Sequence, residues 1–206
     1  MADRYDSFPN LAANETEGVH YRVCAVERDS PFAIVAPHGG RIERGTSEIA
    51  AAIAGDRFSL YCFEGLMPRE RGKSLHIAST RFDEPRALRL VAASEIAIGV
   101  HGRKDGVDGA SIWVGGLHES LRDAICDALL SAGFKAKAVG EGHRLAGRDP
   151  ANICNKGRRG AGVQLELPKT LRIQFANDRS FQNAFAVEVR ATVSDNALAL
   201  VPTIVE

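Results

Sequence analysis

The stretch FAIVAPHGGRIERGTSEIAAAIAG, residues 32–55, decides how this chain is read. Its opening run, FAIVAP, is apolar throughout, as in a strand covered on both faces. Two glycines then permit a tight turn. Thr46 stands where a helix cap belongs, Glu48 follows in the first turn where it favours the helix dipole, and Gly55 ends the helix. Buried strand, tight turn and helix together make the repeating unit of an α/β sheet.

Outward from this unit the same grammar recurs. Apolar runs suited to strands occupy residues 21–26, 58–63, 75–79, 96–102, 110–116, 135–139 and 162–167. Pro85 opens a helix with Leu88, Val91 and Ala92 on one face. Leu117, Leu121, Ile125 and Leu129 recur every four residues and Gly133 follows, which predicts a helix over 117–132. Phe181, Phe185 and Val189 predict another over about 178–195, although FAVEVRATV also alternates like a strand. The expected fold is a three-layer α/β/α sandwich on an open, mixed, mostly parallel sheet. The sheet is read as mixed because 96–102 and 110–116 are joined by a short glycine-rich loop, too short for a crossover helix. No linker divides the chain, so residues 1–206 are read as one catalytic domain, with 1–18 a poorly ordered or peripheral segment.

Composition narrows the function classes. The 206 residues carry 26 Lys+Arg against 26 Asp+Glu, so no global basic excess points to nucleic acid or a membrane surface. The polar N-terminus lacks the pattern of a secretory signal, and no run approaches the roughly 18–20 apolar residues of a membrane helix. A cytoplasmic chain is expected, a monomer or small homo-oligomer, released by lysis if it is phage-derived. Cys24, Cys62, Cys126 and Cys154 form no CxxC pair, and all four read as buried or partly buried thiols.

Ligands of open α/β sheets gather at the carboxyl ends of the strands. His38 follows FAIVAP and His101 follows IAIGV, each with glycine directly after it. Zinc hydrolases often use two histidines and a carboxylate, a set that His38, Glu43 and His101 supply. Residues five apart do not share a helix face, so His38 and Glu43 can meet only on a loop. Taken singly, each histidine reads more readily as a hydrogen-bonded structural residue, and only the pair, each followed by glycine, brings the two readings level; of the other histidines, His76 is the one of interest. Glu166 lies inside the apolar strand GVQLEL, where an unpaired carboxylate is costly to bury and its pKa rises. It is either a general base or the structural partner of an arginine. Upstream, GRDPANICNKGRRGAG (147–162) places Arg148, Lys156, Arg158 and Arg159 in one loop, a cationic patch suited to carboxylates, with Asn152 and Asn155 as further ligand contacts. A merely solvated loop is the alternative.

Taken together, PHGGRIERGTSEIA, GVHG and GRDPANICNKGRRGAGVQLELP resemble the phage and bacterial poly-γ-glutamate hydrolase family, over about residues 20–195. Some of its members carry an old label as phage-related replication proteins. The resemblance implies a compact relative of the zinc carboxypeptidases with one zinc ion held by His38, Glu43 and His101, and Glu166 as the catalytic glutamate. It implies hydrolysis of γ-glutamyl amide bonds in an anionic polymer, with Arg148, Asn152, Asn155, Lys156 and Arg159 as substrate contacts chosen on charge and position. Carboxypeptidases space their first histidine and glutamate three residues apart, whereas here the gap is five. Three alternatives stay open: a zinc amidase or deacylase on another acidic acyl or peptide substrate, a replication-associated nucleic-acid-binding protein, and a metal-free member that only binds ligand.

Overall fold

The computed structural model describes residues 3–68, 73–106 and 108–198. In chain order the elements are α1 (Phe8–Ala12), β1 (Tyr21–Val26), β2 (Phe32–Gly40), α2 (Thr46–Ala54), β3 (Ser59–Gly65), α3 (Pro85–Ala93), β4 (Ile96–Arg103), β5 (Ile112–Gly116), α4 (Glu119–Ser131), β6 (Ala136–Ala138), β7 (Val163–Pro168), α5 (Lys169–Asn177) and α6 (Arg179–Leu198). The strands form one sheet in the order β1-β3-β2-β4-β7-β5-β6. β3, β2, β4 and β7 run parallel, while β1 is antiparallel to β3 and β5 antiparallel to β7.

Alternation along the strands feeds two cores. Phe32, Ile34 and Ala36 of β2 face α2, α4, α5 and α6, where they meet Ile49, Ile53, Ile125, Phe175 and Phe185. Ala33 and Val35 face the opposite side with Leu11, Leu75, Phe82, Leu90 and Ile153. Both faces are therefore covered, which is why the central strands are apolar at consecutive positions. The mixed three-layer sandwich is the expected one.

Several details differ from the sequence reading. β4 and β5 are not neighbours: β7 inserts between them, so their short connection crosses over β7 at the sheet's edge. Residues 75–79 do not form a strand; Lys73–Leu75 is a turn of 3₁₀ helix, and Leu75 and Ile77 plug the second core from a loop. The N-terminal segment, expected to be peripheral, is seated from residue 3 onward. Tyr5 and Leu11 are buried, and Asp3 bonds to residues 76, 78 and 81. Gly45, not Thr46, takes the N-cap position of α2, with φ 93°, while the Thr46 hydroxyl donates to the Glu43 carbonyl. α5 was not foreseen, because its apolar positions are few. Cys24, expected to be buried, is exposed on the edge strand β1, whereas Cys154 is fully buried although its loop is polar.

Candidate metal centre and cleft

The two histidines of interest stand on neighbouring parallel strands at their carboxyl ends. β2 pairs with both β3 and β4, but its register against β3 slips between Ala36 and Gly39, so Pro37 and His38 form a bulge. Proline has no N–H to give the ladder, and a bulge re-aims the side chain beside it. The bulge turns His38 over the sheet edge toward His101 on β4. The glycines after His38 answer a packing demand as well as a turning one. A Cβ on Gly39 would lie 2.0 Å from Ser47 Oγ and 2.9 Å from the Phe63 carbonyl oxygen, and Gly40 has φ 62° with its would-be Cβ 2.5 Å from the Gly65 oxygen. Only glycine lets β2 press this closely on β3 and α2.

From there the loop curls back. The Glu43 N–H donates to the His38 carbonyl at 2.8 Å, and Glu43 Oε2 accepts from the Gly102 N–H at 2.8 Å. Three potential ligand atoms converge: His38 Nδ1 and His101 Nδ1 lie 3.2 Å apart, His38 Nδ1 and Glu43 Oε2 3.4 Å, and His101 Nδ1 and Glu43 Oε2 3.8 Å. Ligands about 2.05 Å from a tetrahedral zinc stand about 3.3 Å from one another. The donor set and its spacing thus fit a zinc ion. His38 Nε2 lies 2.7 Å from the Ile77 carbonyl, which can only accept, so Nε2 carries the hydrogen and Nδ1 is the nitrogen available for a metal.

His76 extends this group. Its ring lies 4.0 Å from that of His38, and one ligand atom from each of His38, Glu43 and His76 falls within 4.8 Å of the others. The set with His101 is the tighter, and His76 Nδ1 is engaged by Asp3 Oδ1 at 2.7 Å. His76 is therefore best described as a wall of the site, fixed by the N-terminal segment.

Electrostatics divides the two carboxylates. Burial pushes Glu43 up, but His38, His101 and the Gly102 N–H outweigh it and bring its pKa down to about 2. Glu166, beside His101 in register on β7, is raised to about 8 by burial, with the Glu43 charge adding to the effect and Arg103 opposing it. Burial and the charge on His38 lower His101 to about 3. For His38 burial acts downward, yet the attraction of Glu43 wins and its pKa is raised. The two environments push the carboxylates apart, favouring the charged form of Glu43 and the neutral form of Glu166.

All four residues line one cleft of about 1430 Å³. The family model for poly-γ-glutamate hydrolase matches residues 5–193 of the sequence. The chain belongs to the poly-γ-glutamate hydrolase family. It is 40% identical over 177 residues to YoqZ, an SPβ prophage-derived protein of Bacillus subtilis (strain 168); the match takes in 85% of this chain and spans only 62% of that protein's length. A bacteriophage poly-γ-glutamate hydrolase structure aligns with TM-score 0.88 and 30% identity, over 96% of this chain and 100% of that one. A zinc-free structure of YndL aligns with TM-score 0.87 and 33% identity, over 95% and 99%.

In this member of the poly-γ-glutamate hydrolase family, the basic loop divides. Arg148 and Asn152 reach the cleft. Arg148 is paired there with Glu119 at 2.5 Å, and Asn152 Nδ2 donates to Gln164 Oε1 at 2.8 Å. Asn155, Lys156 and Arg159, expected as substrate contacts, do not line it. Asn155 is a buried clamp whose side chain bonds to Gly147, Asp149, Leu117 and Gly162. Arg159 lies 3.7 Å from Glu95 and lines, with Arg148, an open recess next to the cleft.

Sequence reasoning passed over Gln164, whose Nε2 donates to Glu166 Oε1 at 3.0 Å. Two residues apart on a strand, the pair share a face, so the alternation in VQLEL carried that signal. It also passed over Arg103, whose guanidinium stacks on Trp113 at 3.7 Å and bonds to the carbonyls of Lys104, Asp105, Asp108 and Ser111. Arg144 lines the cleft too, exposed and outside every ion pair found among the described residues. Nothing in the sequence distinguishes it from a surface arginine.

Proposed function

We propose that the chain is a zinc-dependent hydrolase that cleaves the γ-glutamyl amide bonds of poly-γ-glutamate. The observation that carries this reading is the convergence of His38 Nδ1, His101 Nδ1 and Glu43 Oε2 within 3.2–3.8 Å, beside the buried Glu166 in an open cleft. Membership of the family supports the substrate.

His38, Glu43 and His101 would hold zinc, which supplies Lewis acidity at a scissile carbonyl and makes water more acidic. Glu166 acts as the proton carrier. As a carboxylate, the form that a cation held beside Glu43 would favour, it accepts a proton from the attacking water, whose oxygen bonds to the amide carbon; as the C–N bond breaks, Glu166 passes that proton to the leaving nitrogen. Gln164 holds Glu166 Oε1 and so fixes the carboxyl plane. A raised pKa suits the second transfer, because a weak carboxylic acid retains its proton until the amine forms. Each residue of a γ-linked polymer exposes an α-carboxylate. Arg144 and Arg148 on the cleft wall provide guanidinium groups for these carboxylates, and Arg148 exchanges Glu119 for substrate.

The test is elemental analysis of wild type, His38→Ala and Glu166→Gln beside chain-length measurements on poly-γ-glutamate. About one zinc per chain is expected in wild type and Glu166→Gln and none in His38→Ala, with both variants inactive. A well-folded wild type that takes up no zinc on remetallation overturns the metal assignment. Zinc-dependent cleavage of other acidic peptides, with the polymer untouched, overturns the substrate.

A further inference from the structure

The loop that carries Glu43 has a second side. A recess of about 590 Å³ lies between the start of α2, the ends of β2 and β3, and the α5–α6 corner. Arg41, Arg44, Arg172 and Arg179 line it, together with an Arg22–Glu64 pair and Glu48. In a chain with no net charge, four guanidinium groups thus face one unpaired carboxylate. None of the four forms an ion pair among the described residues. Arg172 is buried and donates only to carbonyl oxygens, those of Leu167, Arg44 and Arg103. These contacts orient the group but leave its positive charge unneutralised.

The recess and the catalytic cleft share a wall. Arg41 and Arg44 stand on either side of Ile42 and Glu43, so residues 40–45 send a carboxylate toward His38 and His101 and arginines to the other side. Arg172 also presses on the backbone of Gly102: a Cβ there would lie 2.5 Å from Arg172 Cζ, and the same Gly102 N–H holds Glu43 Oε2. The cleft and the cationic recess are thus separated by the one loop that carries Glu43.

We propose that the recess is a second binding site for carboxylate side groups, and that it holds a distal stretch of the same polyanionic chain whose amide bond lies in the cleft. This rests on the substrate reading above. A polycarboxylate is favoured over nucleic acid because, among the described residues, no exposed aromatic ring lines the recess for base stacking; Phe175 there is buried. Joining two sites by one chain raises the apparent affinity for long polymers without changing the chemical step.

The test pairs Arg44→Ala/Arg179→Ala with wild type on long poly-γ-glutamate and on a short γ-glutamyl oligomer that fills the cleft alone. For the long polymer KM should rise about tenfold with kcat unchanged, while kinetics on the oligomer stay at wild-type values. Calorimetric binding of long polymer to zinc-loaded Glu166→Gln, with and without the two substitutions, should show the same loss without turnover. Unchanged KM and affinity, or equal losses on long and short substrates, overturn the proposal while leaving the hydrolase reading intact. Arginine-dependent binding of the polymer in a protein that does not cleave it sinks the hydrolase reading and keeps the site. Arginine-dependent binding of a DNA oligomer but not of the polymer assigns the recess to nucleic acid and ends the proposal.

Discussion

Replacing Glu166 by Gln should make the metal-stripped protein more stable at alkaline pH, although it removes the proposed proton carrier. The acid is almost fully buried and its pKa is raised from 4.5 to about 8. A group that binds its proton more tightly when folded contributes stability below its unfolded pKa and loses that contribution as pH climbs through the folded one. For Glu166 the contribution is present below about pH 4.5 and gone above about pH 8. Each pKa unit is worth about 1.4 kcal/mol, so the whole decline amounts to roughly 4–5 kcal/mol. Glutamine keeps an oxygen to accept the Gln164 bond and has no charge to desolvate. Urea unfolding of wild type and Glu166→Gln at pH 5 and pH 8, both free of metal, reads this directly. The two midpoints should nearly coincide at pH 5, and the variant should lead by about 2 M urea at pH 8, taking a slope of about 2 kcal/mol/M. Taking the difference between the proteins isolates Glu166 together with its coupling to the Glu43 charge. Adding zinc should narrow the gap, because a cation beside Glu43 favours the ionised form of its neighbour. A variant that loses stability with pH as steeply as wild type, or that is weaker at pH 8, refutes the claim that Glu166 is held protonated by burial.

Gly39→Ala should lower stability by about 1–3 kcal/mol and Tm by several degrees in a thermal scan, because the new methyl meets the Phe63 carbonyl backbone as well as the movable Ser47 hydroxyl. Its zinc affinity should fall as well, since the same strand carries His38. Asp3→Ala removes acceptors for His76, Ala78 and Arg81, and about 1–3 kcal/mol of stability should go with them in denaturant unfolding. A thiol reagent applied to the native chain should modify Cys24 alone of the four cysteines: Cys62, Cys126 and Cys154 are buried, and burial pushes the Cys62 and Cys154 thiols up to about 12.

The strand-turn-helix at 32–55 was legible because it rests on local physics. Apolar residues at every position from 32 to 37 report a strand covered on both faces, and the glycines mark the turn whatever surrounds it. α4 and α6 were legible for the same reason, since their apolar faces repeat at the helical period over many turns. The segment at 75–79 misled because a loop that plugs a core is as apolar as a strand, and pattern does not distinguish them. Cys24 misled in a similar way: its strand is at the sheet edge, and edge position follows from pairing order rather than from its neighbours in sequence.

His38, Glu43, His101 and Glu166 stood out in the sequence through their residue types at strand ends and through a family resemblance. That His38 and Glu43 meet despite being five residues apart was decided by the bulge at Pro37–His38 and by the Gly102 N–H, both products of strand pairing. The insertion of β7 beside β4 set Glu166 next to His101 across 65 residues of chain, and no local periodicity encodes such a pairing. The division of the basic loop into Arg148 at the cleft and Arg159 elsewhere, like the gathering of Arg41, Arg44, Arg172 and Arg179 around one recess, was also decided in three dimensions. Sequence by itself determined the elements and the chemistry each residue can offer, because both depend on short-range preferences and on functional groups. Tertiary structure alone decided which of those groups share a site, because distance between side chains depends on long-range strand order, packing and burial.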